Sequence, residues 1–226
     1  MQAIFDMFDE RIEEINTYYI ALEKLQELQV SSEIHHEYTS DEFLKILKAN
    51  ALLMIYNLVE STVMGGILEI YDKFKQEGLT YNTVRKEIKD IWFSYKFKQV
   101  YKESAHYYSY KDKALEIVNA VILGETIELD RKAADISGNL DAQQIRNVCK
   151  DHGIRFTTEE SCNGGAVLEA VKDRRNDLAH GTLSFAECGR DYTLNDLEEI
   201  KDQTVTFLKG LLDGMKIYYD ERQYKL

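Results

Sequence analysis

Apolar residues return at helical spacing along most of the chain. Ile4, Phe8, Ile12, Ile15, Tyr19, Leu22 and Leu25 recur with acidic residues between them, which predicts an amphipathic helix from Ile4 to about Leu28. After the polar connector S-S-E-I-H-H-E-Y-T-S, Thr39 and Glu42 have capping-box spacing ahead of F-L-K-I-L-K-A-N-A-L-L-M-I-Y-N-L-V-E-S-T-V. That run predicts a long helix to about Phe74. From Ala51 to Val59 it is apolar on more than one face, so it should lie at the centre of the fold. Gly65 and Gly66 weaken it locally or permit close packing, and Gly78 is placed to end it.

Later segments follow the same grammar. Asn82 is placed to cap a helix from Thr83 to about Glu103, Lys111 to Leu123 reads as another with Gly124 as its stop, and Thr126 to Asp130 as a short extended piece. Ser137 to Asn139 reads as a turn, Asp141 as an N-cap, and Gly153 as the residue after the last helical turn. Thr157 and Glu160 again have capping-box spacing, and Ser161 to Gly165 form an irregular lead into a helix through Val171 to His180. Thr182 to Tyr192 reads as a connector, and Thr193 as the cap of a final helix with Ile200, Val205, Leu208, Leu211, Leu212 and Met215 inward. No repeat or long linker divides the chain, so the expectation is one all-α helical domain over 1–226.

Composition agrees with helices. The 226 residues include no proline, where average usage would place roughly eleven, and proline breaks helix interiors. The formal net charge of −12 makes the surface as a whole repel nucleic acid and anionic membranes, so any contact with RNA must be local. Cys149, Cys162 and Cys188 form no C-x-x-C pair, which argues against a disulfide framework or zinc knuckle and suits a reducing compartment. The acidic N-terminus lacks the pattern of a secretory signal, and the longest plainly apolar run, Ala51 to Tyr56, is too short to span a bilayer. A soluble, cytoplasmic protein without membrane contact is expected.

Four features carry candidate chemistry. His35 and His36 invite a metal, but no second pair stands at ligand spacing, so no metal site or cofactor is expected. His152, next to Gly153, fits a helix C-terminus where positive charge is favoured. The stretch from Arg85 to Lys102 holds six basic residues against Glu87 and Asp90, interleaved with Trp92, Phe93, Tyr95, Phe97 and Tyr101. It reads either as a backbone-tracking, base-stacking surface or as a core stripe of Ile88, Ile91, Trp92 and Tyr95, extending to Val100, with solvated lysines. The fourth is V-K-D-R-R-N-D-L-A-H-G, Val171 to Gly181, where Arg175 offers a planar fork for a phosphate and His180 can move a proton near neutral pH.

On a regular helix Arg175 lies at the edge of the stripe made by Val167, Leu168, Val171 and Leu178, and His180 lies about 140° away from Arg175. The two converge only if the helix ends or distorts before His180, or if a second surface closes over both. Gly181 favours the first; a symmetric dimer would supply the second. Asn176, one turn before His180, is placed to orient the imidazole or a phosphate. Lys172 and Arg174 could add backbone contacts, or simply solvate the helix. Glu60, in the central helix, could orient the arginine or histidine, or be satisfied by a structural ion pair.

R-N-D-L-A-H fits the R-x4-H motif of the HEPN superfamily, with the polar residue that commonly follows the arginine present as Asn176. Together with N-L-V-E-S-T at Asn57 to Thr62 and I-S-G-N-L-D-A at Ile136 to Ala142, the chain resembles bacterial HEPN-like nucleases of the toxin type. The resemblance implies an all-α bundle with additional helices that dimerises through its motif helices and cleaves RNA without a metal, in a toxin-antitoxin or antiphage system. It implies Arg175 on the scissile phosphate, His180 in proton transfer, and attack by the ribose 2′-OH. In relatives paired with a nucleotidyltransferase antitoxin a tyrosine stands two residues after the histidine. Here that position is Thr182, which leaves a protein antitoxin as the more open possibility. The alternative is a non-catalytic HEPN module that binds a nucleotide or a protein, in keeping with the acidic surface; a third reading makes both residues purely structural.

Overall fold

A computed structural model describes residues 1–31, 41–98, 107–136 and 138–226. Its regular elements among these are eight α-helices: α1 Gln2–Ser31, α2 Asp41–Gln76, α3 Lys86–Lys98, α4 Tyr107–Leu123, α5 Ala142–His152, α6 Val167–His180, α7 Phe185–Arg190 and α8 Leu194–Asp220. The protein is all-α, as the periodicity predicts. Thr39, the histidine pair His35 and His36, Ser137, and residues 99–102 of the basic segment lie outside the described residues.

The central helix is α2. Ala49, Ala51, Leu52, Ile55, Tyr56, Leu58, Val59, Val63, Ile67, Ile70 and Phe74 are buried along it and occupy more than one face. Such a helix needs neighbours all round, and α1, α6, α7 and α8 supply them. By length and composition α2 could cross a membrane, yet 61% of its most apolar stretch is buried inside the bundle. Phe8, Ile15, Tyr19 and Leu22 of α1 and Phe207, Leu208, Leu211, Leu212 and Met215 of α8 close on it in one apolar cluster.

Local signals set most helix ends. Asp141 caps α5 by accepting from the Gln144 amide, and Thr193 caps α8 in a reciprocal box with Asp196. Gly153 and Gly181 follow α5 and α6 with φ of 74° and 70°, the left-handed conformation in which a glycine closes a helix at least cost.

Five boundaries differ from expectation; the simplest is α4, which begins at Tyr107 rather than Lys111. The segment from Thr182 to Tyr192 is not a plain connector: Ser184 and Glu187 form a capping box that starts α7. This short helix presses on the first turns of α2 so closely that a Cβ at Gly189 would stand 1.8 Å from the Lys45 carbonyl oxygen. Thr157 and Glu160 form no box, because the chain enters a 3-10 turn, Glu160–Gly165, whose Asn163 and Gly164 are left-handed. Helix α3 begins at Lys86 rather than Thr83. Thr83 is engaged in a turn, its hydroxyl accepting from the Thr80 amide at 2.9 Å, and the Asn82 amide donates instead to the Val121 carbonyl at 3.4 Å. The piece at 126–130 joins no sheet; a bridge from Thr126 to Thr80 and a bond from the Ile127 amide to Leu79 hold it.

Within α3 the core-stripe reading holds. Ile88 and Trp92 are buried. Lys96 lies over the Trp92 ring and pairs with Glu116 at 3.2 Å, Lys98 pairs with Asp135 at 2.6 Å, and the Tyr95 hydroxyl donates to Asp130. Cations bound to carboxylates are poorly placed to hold phosphates. The three cysteines are buried and unbridged, and burial pushes the Cys149 thiol up to about 12.

Candidate active site

Two of the sequence blocks that carry the family resemblance, Ile136 to Ala142 and Arg175 to Gly181, meet in space beside Tyr56, the residue before the third. Tyr56, the residue before Asn57 to Thr62, is 1% exposed. Its hydroxyl donates to the Gly138 carbonyl and accepts from the Leu140 amide at 3.2 Å, which pins the turn of the second block. Burial pushes the Tyr56 phenol up, against the opposing pull of the Leu140 amide and the positive charge of Arg175, so the hydroxyl keeps its proton. From α6, the Asn176 amide donates to the Asn139 side chain at 2.7 Å, and Lys172 donates to Asp141 at 2.9 Å.

Arg175 lies between these parts. Its guanidinium carbon is 4.7 Å from the centre of the Tyr56 ring, and Nη1 donates to the Asn176 side chain at 2.9 Å. Gly138 passes so near that an added Cβ would stand 3.1 Å from Nη2. A cation over an aromatic face gains about 0.5 to 2 kcal/mol depending on its exposure. Arg175 is half-buried, and among the described residues it has no carboxylate within ion-pair distance. Its charge is held by a ring, an amide and a backbone wall, and neutralised by none of them.

The other basic residues of α6 are committed. Lys172 pairs with Asp141, which raises the lysine's affinity for its proton; burial alone would raise the Asp141 carboxyl, but the Gln144 amide and Lys172 hold it below the usual range. Arg174 donates to the Tyr192 hydroxyl and lies 3.5 Å from Asp177 and 3.9 Å from Asp191. Lys172 and Arg174 therefore sit in structural pairs from which a phosphate would have to draw them. Asn176 bonds Arg175 and Asn139, on the arginine side of the site. Glu60 meets Arg131 at 3.4 Å, the structural ion pair rather than an orienting bond to Arg175 or His180.

His180 is exposed, occupies the last residue of α6, and its imidazole makes no hydrogen bond to the described residues. The helix stays regular through it, and only Gly181 turns away. The 140° separation expected on a regular helix is thus kept, and within one chain His180 is not folded back onto Arg175. Among the described residues no group of three His, Cys, Asp or Glu side chains is placed to hold a metal ion.

Tyr56, Gly138 and Asn139 are the site residues that sequence reading left without a role. Two of them lie inside the block Ile136 to Ala142; Tyr56 sits among apolar neighbours, with nothing local to separate it from core.

Residues 1–224 match the profile of the HEPN_MAE_28990-like HEPN family, nearly the whole chain. The protein belongs to that family and so to the HEPN superfamily, as the R-x4-H motif indicates. Comparison with curated proteins and with solved structures gave no match.

Proposed function

We propose that the protein is a metal-independent endoribonuclease working in the cytoplasm as a homodimer, and that it is the toxin of a toxin-antitoxin or antiphage system. Family membership supports RNA cleavage or nucleotide binding as the class of function. The observation that carries cleavage is Arg175, a half-buried arginine that is oriented but left without a carboxylate. Its neighbours on α6, Lys172 and Arg174, have acidic partners; an un-neutralised cation with a fixed fork suits a scissile phosphate, where charge develops as the reaction proceeds.

In this reading the ribose 2′-oxygen attacks phosphorus, the bond to the 5′-oxygen breaks, and a 2′,3′-cyclic phosphate remains. His180 takes the 2′-hydroxyl proton or gives one to the departing 5′-oxygen. Arg175 stabilises the phosphorane charge, and Asn176 holds Arg175. Since α6 keeps His180 about 140° from Arg175, a second copy docked through its own α6 brings a histidine to each arginine. DNA lacks the 2′-hydroxyl and resists cleavage. A protein antitoxin would act by covering α6.

The test is cleavage of RNA in excess EDTA by the purified protein, with Arg175→Ala and His180→Ala beside it. Loss of cutting in both, with folding and dimerisation intact, is expected. Equal cutting by His180→Ala overturns the assignment. Tight nucleotide or protein binding without any RNA product would point instead to a non-catalytic HEPN module, the reading that the net charge of −12 favours.

A further inference from the structure

Lys172 and Arg174 are oriented by carboxylates, Asp141 for the first and Asp177 with Asp191 for the second. Arg175 is oriented by uncharged groups alone: the Tyr56 ring at 4.7 Å, the Asn176 amide at 2.9 Å and the backbone at Gly138. The distinction matters chemically. A carboxylate fixes an arginine but uses up its charge, whereas a ring face and a peptide wall fix its plane and leave the charge for an incoming anion.

Tyr56 supplies both restraining surfaces. Its ring lies 4.7 Å from the guanidinium, and its hydroxyl, bonded to the Gly138 carbonyl and the Leu140 amide, holds the turn whose Gly138 comes close to Nη2. The buried phenol stands on α2, the central helix of the bundle.

We propose that Tyr56 is a positioning residue for Arg175, its ring setting the plane of the guanidinium and its hydroxyl setting the 138–140 turn so that the free donors of Arg175 face the substrate phosphate. This rests on the endoribonuclease reading of the same site. Tyr56 touches no substrate; it acts through Arg175.

The full chain is assayed on one RNA for kcat and KM, as wild type, Tyr56→Phe, Tyr56→Leu and Gly138→Ala. A displacement of about 1 Å costs up to roughly a hundredfold in rate, so Tyr56→Leu is expected to lower kcat about ten- to a hundredfold with KM changed by less than about threefold. Tyr56→Phe keeps the ring and loses about three- to tenfold, as does Gly138→Ala, whose new methyl presses on Nη2. In parallel, the side-chain Nε–H resonance of nitrogen-15-labelled Arg175 shifts in Tyr56→Leu and stays near its wild-type position in Tyr56→Phe.

If Tyr56→Leu does not fold, Tyr56→Phe and Gly138→Ala carry the test. Wild-type kcat in both overturns the proposal while the endoribonuclease reading stands. A wild-type protein that cuts no RNA overturns that reading; the Arg175 resonance then decides the positioning alone, an unmoved signal in Tyr56→Leu overturning it and a moved one supporting it.

Discussion

Helices α5 and α6 end in the same dipeptide, histidine then glycine, with the glycine left-handed in both, yet the two histidines live in opposite surroundings. His152 is 2% exposed. Its Nδ1–H donates to the Val148 carbonyl at 2.7 Å, which leaves Nε2 to accept from the Tyr71 hydroxyl at 2.6 Å, and the two rings stack. Burial pushes its pKa down. The helix-end position expected for His152 is right, but the expected positive charge is not: Tyr71 and Tyr218 of neighbouring helices enclose it, and a buried imidazole with an acceptor role to fill stays neutral. His180 has the same local grammar but stands exposed, with no such cover and no side-chain partner among the described residues. Two identical helix ends thus become a core residue and a candidate catalyst, and what covers each end makes the difference.

The contrast can be broken most sharply at His180. His180→Ala is expected to lower RNA cleavage by about a hundredfold to ten-thousandfold, the range for a lost acid–base group, while thermal unfolding stays at the wild-type temperature. A rate within threefold of wild type would erase the distinction between the two histidines. The reciprocal change, His152→Ala, is expected to destabilise the fold by about 2 to 4 kcal/mol, because it opens a cavity and strands the Tyr71 hydroxyl. Chemical denaturation measures this, and the remaining folded protein should cut RNA at the normal rate.

A smaller effect follows from acid. Folded His152 resists its proton, so below the ordinary imidazole value of 6.5 the unfolded chain binds that proton first. The stability it contributes is complete above 6.5 and is lost as pH falls below that value. Melting temperature should therefore decline from pH 7 to pH 5, and the decline over that interval should be shallower in His152→Gln; an unchanged slope would contradict a buried neutral imidazole. The smallest change tests how the turn beside Arg175 is fixed. Asp141→Ala removes the α5 cap and the Lys172 pair together, at a cost of about 1 kcal/mol for the cap, with a few-fold loss of cleavage as residues 138–140 loosen.

Much of the fold was legible because its determinants are local. Asp141, Gly153, Gly181 and Thr193 act within a few residues of themselves, and each ends or starts a helix where its chemistry says it should. The signal for α7 was also present as Ser184 and Glu187, overlooked because six residues carry too little apolar periodicity to announce a helix. The box at Thr157 and Glu160 did not form because the chain there runs straight into the 3-10 turn Glu160–Gly165, whose Asn163 and Gly164 are left-handed. In α3, alternating rings and lysines could not be sorted into core and surface until Glu116 and Asp135 arrived from elsewhere in the chain.

What the chain determined by itself is its helical class, its caps, its acidic surface, and a motif with Arg175 and His180 five residues apart. These follow from spacing and residue chemistry within single turns. The tertiary structure decided the rest: which cations are paired with carboxylates, which histidine is buried, and that Tyr56, deep in an apolar run, lies beneath Arg175. The reason is physical. Charge and protonation depend on the dielectric and on partners within a few ångströms, and only packing brings α2, the 138–141 turn and α6 to that distance.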